Sequence, residues 1–272
     1  MLIEEISRLD EACKFQFSRM KRSLQDEDLK LYEYIDGYLE SYCRFNDISI
    51  EDVLKIKDKF AQRYINDLKN FEQSGSYPYQ IPIDNFVLSR TEYDVVLILS
   101  FLLEKHRFKI ARWLVSQKFE GNLLAVGIGP GVEFGIIKEF CGNEVSLTGY
   151  DLELSDYVLN RYRGEVNKEF FSPGSEYFSM VLLVEILEHL SNPLELLKNA
   201  ISVLDNNGSI LLTTAVDMPQ FDHLYNFSSG QIVEMLSDEG MAVEKFETVQ
   251  HQINIGQIAS SNELVVAKKV VR

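Results

Sequence analysis

Positive charge is what this chain most lacks. Its 272 residues hold 27 Lys and Arg against 42 Asp and Glu, a formal net charge of −15. A nucleic-acid backbone is gripped through a surplus of cations, so that class of partner is disfavoured. Long apolar runs are missing too. The longest, VVLILSFLL from Val95 to Leu103, is too short to span a bilayer. Cysteine is scarce: Cys13, Cys43 and Cys141 are odd in number and lack metal-ligand spacing. That pattern suits free thiols in a reducing compartment rather than a disulfide framework. The start, MLIEEISRLDEACKF, has no basic stretch followed by an apolar one. No secretory leader is therefore expected, and the expected location is the cytoplasm.

Proline is absent from the first 72 residues and Gly37 is the one glycine there, which leaves helix unopposed. LKLYEYIDGYLESYCRF and IEDVLKIKDKFAQRYINDLKNF carry apolar residues three and four apart, predicting two helices with a turn at Asn46 and Asp47. Tyr34, Tyr38 and Tyr42 form a stripe that Leu31 extends, suited to packing or to lining an aromatic acceptor pocket. QSGSYPYQIPID, Gln73 to Asp84, reads as a linker. A further helix is expected from Thr91, capped through T-E-Y-D, and running through LILSFLLEKHRFKIARWLVSQ. On it, His106 with Lys105, Arg107 and Lys109 is expected on a solvated basic face, the alternative being basic residues that meet an anionic substrate.

From about residue 122 apolar strands alternate with helices. LLAVGIG, VSLTGYD, SMVLLVE and GSILLTTAV read as strands; VEFGIIKEF, LELLKNAISVL and SSGQIVEMLSDEG read as helices; MAVEKFETV and ELVVAKKV close the chain. Near-continuous apolar strands imply a mostly parallel sheet covered on both faces. The expected fold class is α/β, doubly wound, with a helical region over 1–85 ahead of a sheet domain over 86–272. His251 is expected at the surface of the last hairpin.

LLAVGIGPGVEFG places Gly127, Gly129 and Gly131 at a strand-to-helix turn, and Asp151 ends the next strand twenty residues on. Glycines admit a tight turn and a close ligand, and a strand-end carboxylate accepts ribose hydroxyls. The G-x-G-x-G spacing favours a cofactor without a pyrophosphate, and no P-loop is present.

LLAVGIGPG, LTGYDLELS and EYFSMVLLVEILEHLSNPLELLKNAISVLDNNGSILLTT, in that order, resemble a class I S-adenosylmethionine-dependent methyltransferase over roughly residues 90 to 270. The resemblance implies that Gly127, Gly129 and Gly131 pass along the methionine part of S-adenosyl-L-methionine. It implies that Asp151, with Leu152, holds the ribose, that Val184 and Glu185 lie near the sulfonium, and that Arg90 and Tyr93 close over the cofactor. In this family, additions like the region before residue 85 usually cover the substrate. Two departures stand out: Ala125 occupies the place of a usual acid in the first strand, and Phe178-Ser179 replaces Phe-Asp. The adenine-contacting residue falls within GEVNKEF.

Glu185, Glu188 and His189, at the end of a core strand, are costly there unless they face a cavity, a ligand or an ion. On a helix beginning near Glu185 they would share one face. Two carboxylates and an imidazole suit Mg²⁺ or another divalent cation, and His223 is the candidate fourth ligand. E-x-x-E-H with D-H-x-x-x-[FW] is similar to the metal site of small-RNA terminal 2′-O-methyltransferases and, more loosely, of ubiquinone-biosynthesis O-methyltransferases. The alternatives are a metal-free role for His189 or His223 as the catalytic base, and a structural one.

The expected function is methyl transfer to a small-molecule acceptor, foremost a hydroxyl. N- or carboxyl-methylation, a non-catalytic cofactor-binding subunit and a nicotinamide-dependent oxidoreductase are the competing readings.

Overall fold

The computed structural model describes residues 1–75, 88–142, 145–251 and 259–270; most of the expected linker lies outside them. Ten helices are described: α1 (Leu2–Leu9), α2 (Glu11–Lys21), α3 (Leu29–Phe45), α4 (Ile50–Ser74), α5 (Arg90–Leu103), α6 (Lys105–Val115), α7 (Val132–Phe140), α8 (Asp156–Arg161), α9 (Pro193–Ser202) and α10 (Gln231–Asp238). The strands are β1 (Asn122–Val126), β2 (Ser146–Tyr150), β3 (Val166–Asn167), β4 (Phe178–Val184), β5 (Leu204–Val216), β6 (Met241–Gln250) and β7 (Ser261–Lys269). They form one seven-stranded sheet in the order β3-β2-β1-β4-β5-β7-β6. β7 runs antiparallel to both neighbours, and the other pairings are parallel.

β1 is flanked by β2 on one side and β4 on the other, so the winding reverses there. A crevice at a reversal, outside the carboxyl ends of the strands, is where open α/β sheets bind ligands. The strand alternation supports covering layers on both faces. Leu123, Ala125 and Leu182 belong to the core shared with α3, α5, α6 and α7, while Leu124, Val126 and Leu183 belong to the core with α9 and α10.

The N-terminal helices are joined to the sheet domain by polar groups as well as apolar ones: the buried Tyr32 hydroxyl of α3 donates to the Leu102 carbonyl of α5 at 2.9 Å. Asp36 of α3 accepts from the Leu2 and Ile3 amides at 3.0 and 2.7 Å, capping α1. Asp10 caps α2 by accepting from the Cys13 amide at 2.6 Å. α4 starts in a Ser49/Asp52 capping box and stops at Gly75, whose φ of 67° is left-handed.

Five expectations are corrected. The helix after the linker starts two residues early, because Ser89 and Glu92 form the capping box; Asp94, the acid Thr91 would need, is engaged with Arg90 and Tyr42. That helix also breaks at Glu104, which is extended (φ −106°, ψ 118°) and accepts from Gln16 at 2.6 Å. His251 is not at the surface. Its ring stacks on His106 with centroids 3.9 Å apart, so His106 is not on a solvated face either. Finally, no α-helix begins at Glu185: the following residues form a 3-10 turn over Leu187–His189.

Candidate active site

The turn after β1 carries three glycines with positive φ: 76° at Gly127, 51° at Gly129 and 77° at Gly131. A side chain at Gly127 would strike Ile186 at 2.4 Å, so the bare backbone is required there. Beside Gly129 stands Arg90, with Nη2 3.8 Å from the place a Cβ would take. Arg90 Nε and Nη2 are buried and, among the described residues, have no hydrogen-bond acceptor; the Asp94 carboxylate lies 2.8 Å from Nη2 as an ion pair. A buried guanidinium at a glycine turn, ion-paired through Nη2 and with no acceptor for Nε among the described residues, fits an anionic ligand group.

Asp151, at the end of β2, accepts from the Gly129 amide at 2.9 Å through Oδ2 and from the Glu153 amide at 2.8 Å through Oδ1. Each oxygen retains a lone pair for a hydroxyl donor. Leu152 beside it is 59% exposed, an apolar surface next to that carboxylate. Ser179 stands where the resemblance leads one to expect an acid. Its hydroxyl sits 2.6 Å from the Glu120 carbonyl and 2.9 Å from that of Asn122, tying β4 to the entry of β1.

At the end of β4, Val184 pairs with Thr213 of β5. Glu185 then turns left-handed with φ 51°. Its carboxylate accepts from Thr213 Oγ1 and Asn262 Nδ2, each at 2.6 Å, and lies 3.3 Å from Arg107 Nη1. Arg107 also reaches Glu133 of α7 at 3.2 Å. Glu185 is thus committed to the β5–β7–α6 side and separated from the expected ligand set. A left-handed residue followed by a 3-10 turn does not hold i, i+3 and i+4 on one face.

The other three do converge. Ligand atoms of Glu188, His189 and His223 lie within 4.8 Å of one another. Glu188 is 1% exposed and accepts from Thr214 Oγ1 at 3.0 Å and from the Ala215 amide at 3.4 Å. His189 Nδ1 lies 3.0 Å from the Asp222 carbonyl, and His223 Nδ1 lies 2.9 Å from that of Met218. A ring nitrogen facing a carbonyl carries the proton, which leaves Nε2 of each neutral ring as the lone-pair nitrogen. The two rings meet edge to face at 5.0 Å.

Asp222 stands behind them and was given no role from sequence, although D-H at 222–223 was its signal. It accepts from the Tyr93 hydroxyl and from Gln220 Nε2 at 2.7 Å, and its Oδ2 is 3.7 Å from His189 Nδ1. Tyr93 is therefore joined to the histidine cluster.

Electrostatics sort these groups. Burial, reinforced by Glu185, raises the Glu188 carboxyl above its ordinary range. Burial beside His189 lowers His223 to about 4. For His189 burial acts downward, but Asp222 and Glu188 outweigh it and hold the imidazole above its usual value. Burial likewise opposes ionisation of Asp222, and His189 and His223 overcome it, keeping that carboxyl low. A buried carboxylate beside two imidazoles, each turned to a backbone carbonyl through Nδ1, has the donor set for a divalent cation, whose binding would displace the proton that His189 holds.

The sequence matches the family model described as a methyltransferase domain over residues 92–257. No curated protein matches it. Among solved structures, an O-methyltransferase family protein from Burkholderia thailandensis is similar at 14% identity and TM-score 0.50, with 66% of this chain and 59% of that one covered. The chain thus spans under two thirds of that relative's length. A SAM-dependent methyltransferase from Aquifex aeolicus is similar at 15% identity and TM-score 0.48, over 66% of this chain and 99% of that one. The N-methyltransferase NodS from Bradyrhizobium japonicum is similar at 15% identity and TM-score 0.44, over 61% and 96%. The glycine turn, the strand-end acid and strands β1 to β6 lie within the matched segment, and this chain belongs to the methyltransferase domain family.

Proposed function

We propose that the protein methylates a hydroxyl of a small molecule with the help of a divalent cation held by Glu188, His189 and His223. The observation that carries this reading is the convergence of those three side chains within 4.8 Å, both imidazoles anchored through Nδ1 on backbone carbonyls. Such anchoring orients an imidazole for a metal and sets its tautomer. A cation there would lower the pKa of an acceptor hydroxyl, and bound S-adenosylmethionine would supply an activated methyl group on sulfur.

The chain's own residues do the positioning. Gly127, Gly129 and Gly131 let the cofactor lie against backbone, Asp151 beside Leu152 takes the ribose hydroxyls, and Arg90 takes the carboxylate. Val184 ends β4 where the sulfonium would lie near it, and Glu185 keeps that strand end in place through Thr213, Asn262 and Arg107. Tyr93 joins the cofactor side to the acceptor side through Asp222. Lining up acceptor oxygen, methyl and sulfur is most of the catalysis.

The helices before residue 75 act as the acceptor's cover through α4. Phe60 meets Phe221 at 6.2 Å, and the Arg63 guanidinium sits 5.2 Å from the Phe221 ring, one residue from Asp222. Apolar and aromatic groups beside a polar cluster suit a small acceptor. The acidic balance disfavours RNA.

A second reading is favoured by the 3.7 Å approach of Asp222 to His189: His189 as general base with its imidazolium held by Asp222, and no metal. Turnover with hydroxyl, amine and carboxyl acceptors, scored as S-adenosylhomocysteine formed before and after EDTA, separates them. Activity on hydroxyls that EDTA abolishes and Mg²⁺ or Mn²⁺ restores supports the cation. Activity indifferent to EDTA and lost in His189→Ala transfers the role to the His189–Asp222 pair and reopens amine and carboxyl acceptors.

A further inference from the structure

The stripe on α3 ends on a buried carboxylate rather than on apolar packing. Tyr42 is fully buried, and its ring meets Tyr157 edge to face at 5.0 Å. Its hydroxyl donates to Asp94 Oδ2 at 2.8 Å, across a separation of 52 residues. The other oxygen of Asp94, Oδ1, is 2.8 Å from Arg90 Nη2, and the Asp94 side chain is 0% exposed. Nη2 stands at the glycine turn, 3.8 Å from a Cβ position on Gly129, while Nε and Nη2 have no hydrogen-bond acceptor among the described residues. One turn back on α3, Tyr38 donates to the Pro130 carbonyl at 2.7 Å, within the same glycine turn. Two tyrosines of one helix thus anchor the glycine turn and the Asp94 carboxylate beside it.

A guanidinium has many rotamers, and a free one at a pocket mouth pairs with whatever carboxylate it reaches. Asp94 limits that freedom, but a carboxylate on one helix can itself choose between rotamers. The Tyr42 hydroxyl removes the choice by engaging the oxygen that Arg90 does not use. We propose that Tyr42, acting through Asp94, is a positioning residue that holds Arg90 for the carboxylate at the amino-acid end of the cofactor. The inference rests on the cofactor reading above and adds that α3, outside the matched methyltransferase segment, is part of the cofactor pocket. It distinguishes the two ends of one ligand: Tyr42 serves the carboxylate end and leaves the nucleoside end, at Asp151, untouched.

Two probes that differ in that end make the test. S-adenosylhomocysteine carries the carboxylate; 5′-methylthioadenosine has the same nucleoside and thioether without it. Affinities of both are measured by calorimetry for the full-length wild type, Tyr42→Phe and Asp94→Asn, with far-UV circular dichroism as the check on folding. Tyr42→Phe keeps the ring and its packing, so the fold is retained. The expected result is a loss of roughly tenfold for S-adenosylhomocysteine, the scale of one hydrogen bond to a charged group, and no change for methylthioadenosine. Asp94→Asn loses the ion pair as well and is expected to follow the same pattern more strongly. Equal weakening of both probes, or of neither, overturns the positioning role while leaving the cofactor assignment intact. A wild type that binds neither probe overturns both, which keeps the two failures apart.

Discussion

His106 and His251 lie ring on ring, and His189 and His223 meet edge to face, so all four histidines of the chain are in pairs. Only the second pair sits with Glu188. In the first, His251 Nε2 is bonded to Asn262 Oδ1, whose amide in turn reaches Glu185, which ties the pair to the end of β4. Burial holds both imidazoles of this pair below the ordinary value of 6.5, His106 further than His251. The unfolded chain takes up protons near 6.5 that the folded chain refuses. The stabilisation is therefore complete above that pH and is lost as pH falls below it. His106→Phe, which keeps an aromatic ring on His251, is expected to lose less stability than wild type between about pH 7 and 5.5, by up to about 1.4 kcal/mol per unit for the one group removed. Urea unfolding at several pH values measures this, and parallel curves for the two proteins would show that His106 titrates alike in both states.

At the scale of elements, the boundaries depend on which of two similar patterns the tertiary structure uses. Ser89…Glu92 and Thr91…Asp94 both offer a hydroxyl with an acid three residues on. Asp94 is engaged by Tyr42 and Arg90, so Ser89 caps α5. Ser89→Ala is expected to cost about 1 kcal/mol, the usual worth of such a cap, and Thr91→Ala less than half of it, read as a difference in thermal midpoint; the reverse order would return the cap to Thr91. The same contrast explains what the sequence made legible. Gly127, Gly129, Gly131 and Asp151 could be read because a left-handed turn and a strand-end acid demand particular residues at short range. Glu188, His189 and His223 could be grouped because strand order brings the ends of β4 and β5 together. Glu185 was misplaced because one left-handed residue redirects its side chain, and periodicity does not register that. Tyr42 and Asp94 were seen separately, since 52 residues lie between them, and the short β3 left no apolar pattern of its own.

Over the whole molecule, the proposed function puts two sides on one sheet edge, joined by the Tyr93–Asp222 bond: a cofactor side on β1, β2 and α5, and an acceptor side on the 3-10 turn after β4 and the segment after β5. The helices before residue 75 touch both of these regions, α3 at the glycine turn and α4 against Phe221. Among the described residues no helix is long and apolar enough to cross a membrane. The measurement that reaches the centre of this arrangement is a manganese titration followed by electron paramagnetic resonance. It is made on metal-stripped protein saturated with S-adenosylhomocysteine, with Glu188→Gln alongside. Glu188→Gln keeps the side-chain shape and removes the buried charge, so it is expected to fold. One tightly held ion per chain in the wild type, lost in Glu188→Gln, is the result expected. A wild type that binds S-adenosylhomocysteine and holds no manganese would contradict the cation site and leave His189 and Asp222 to do the chemistry alone.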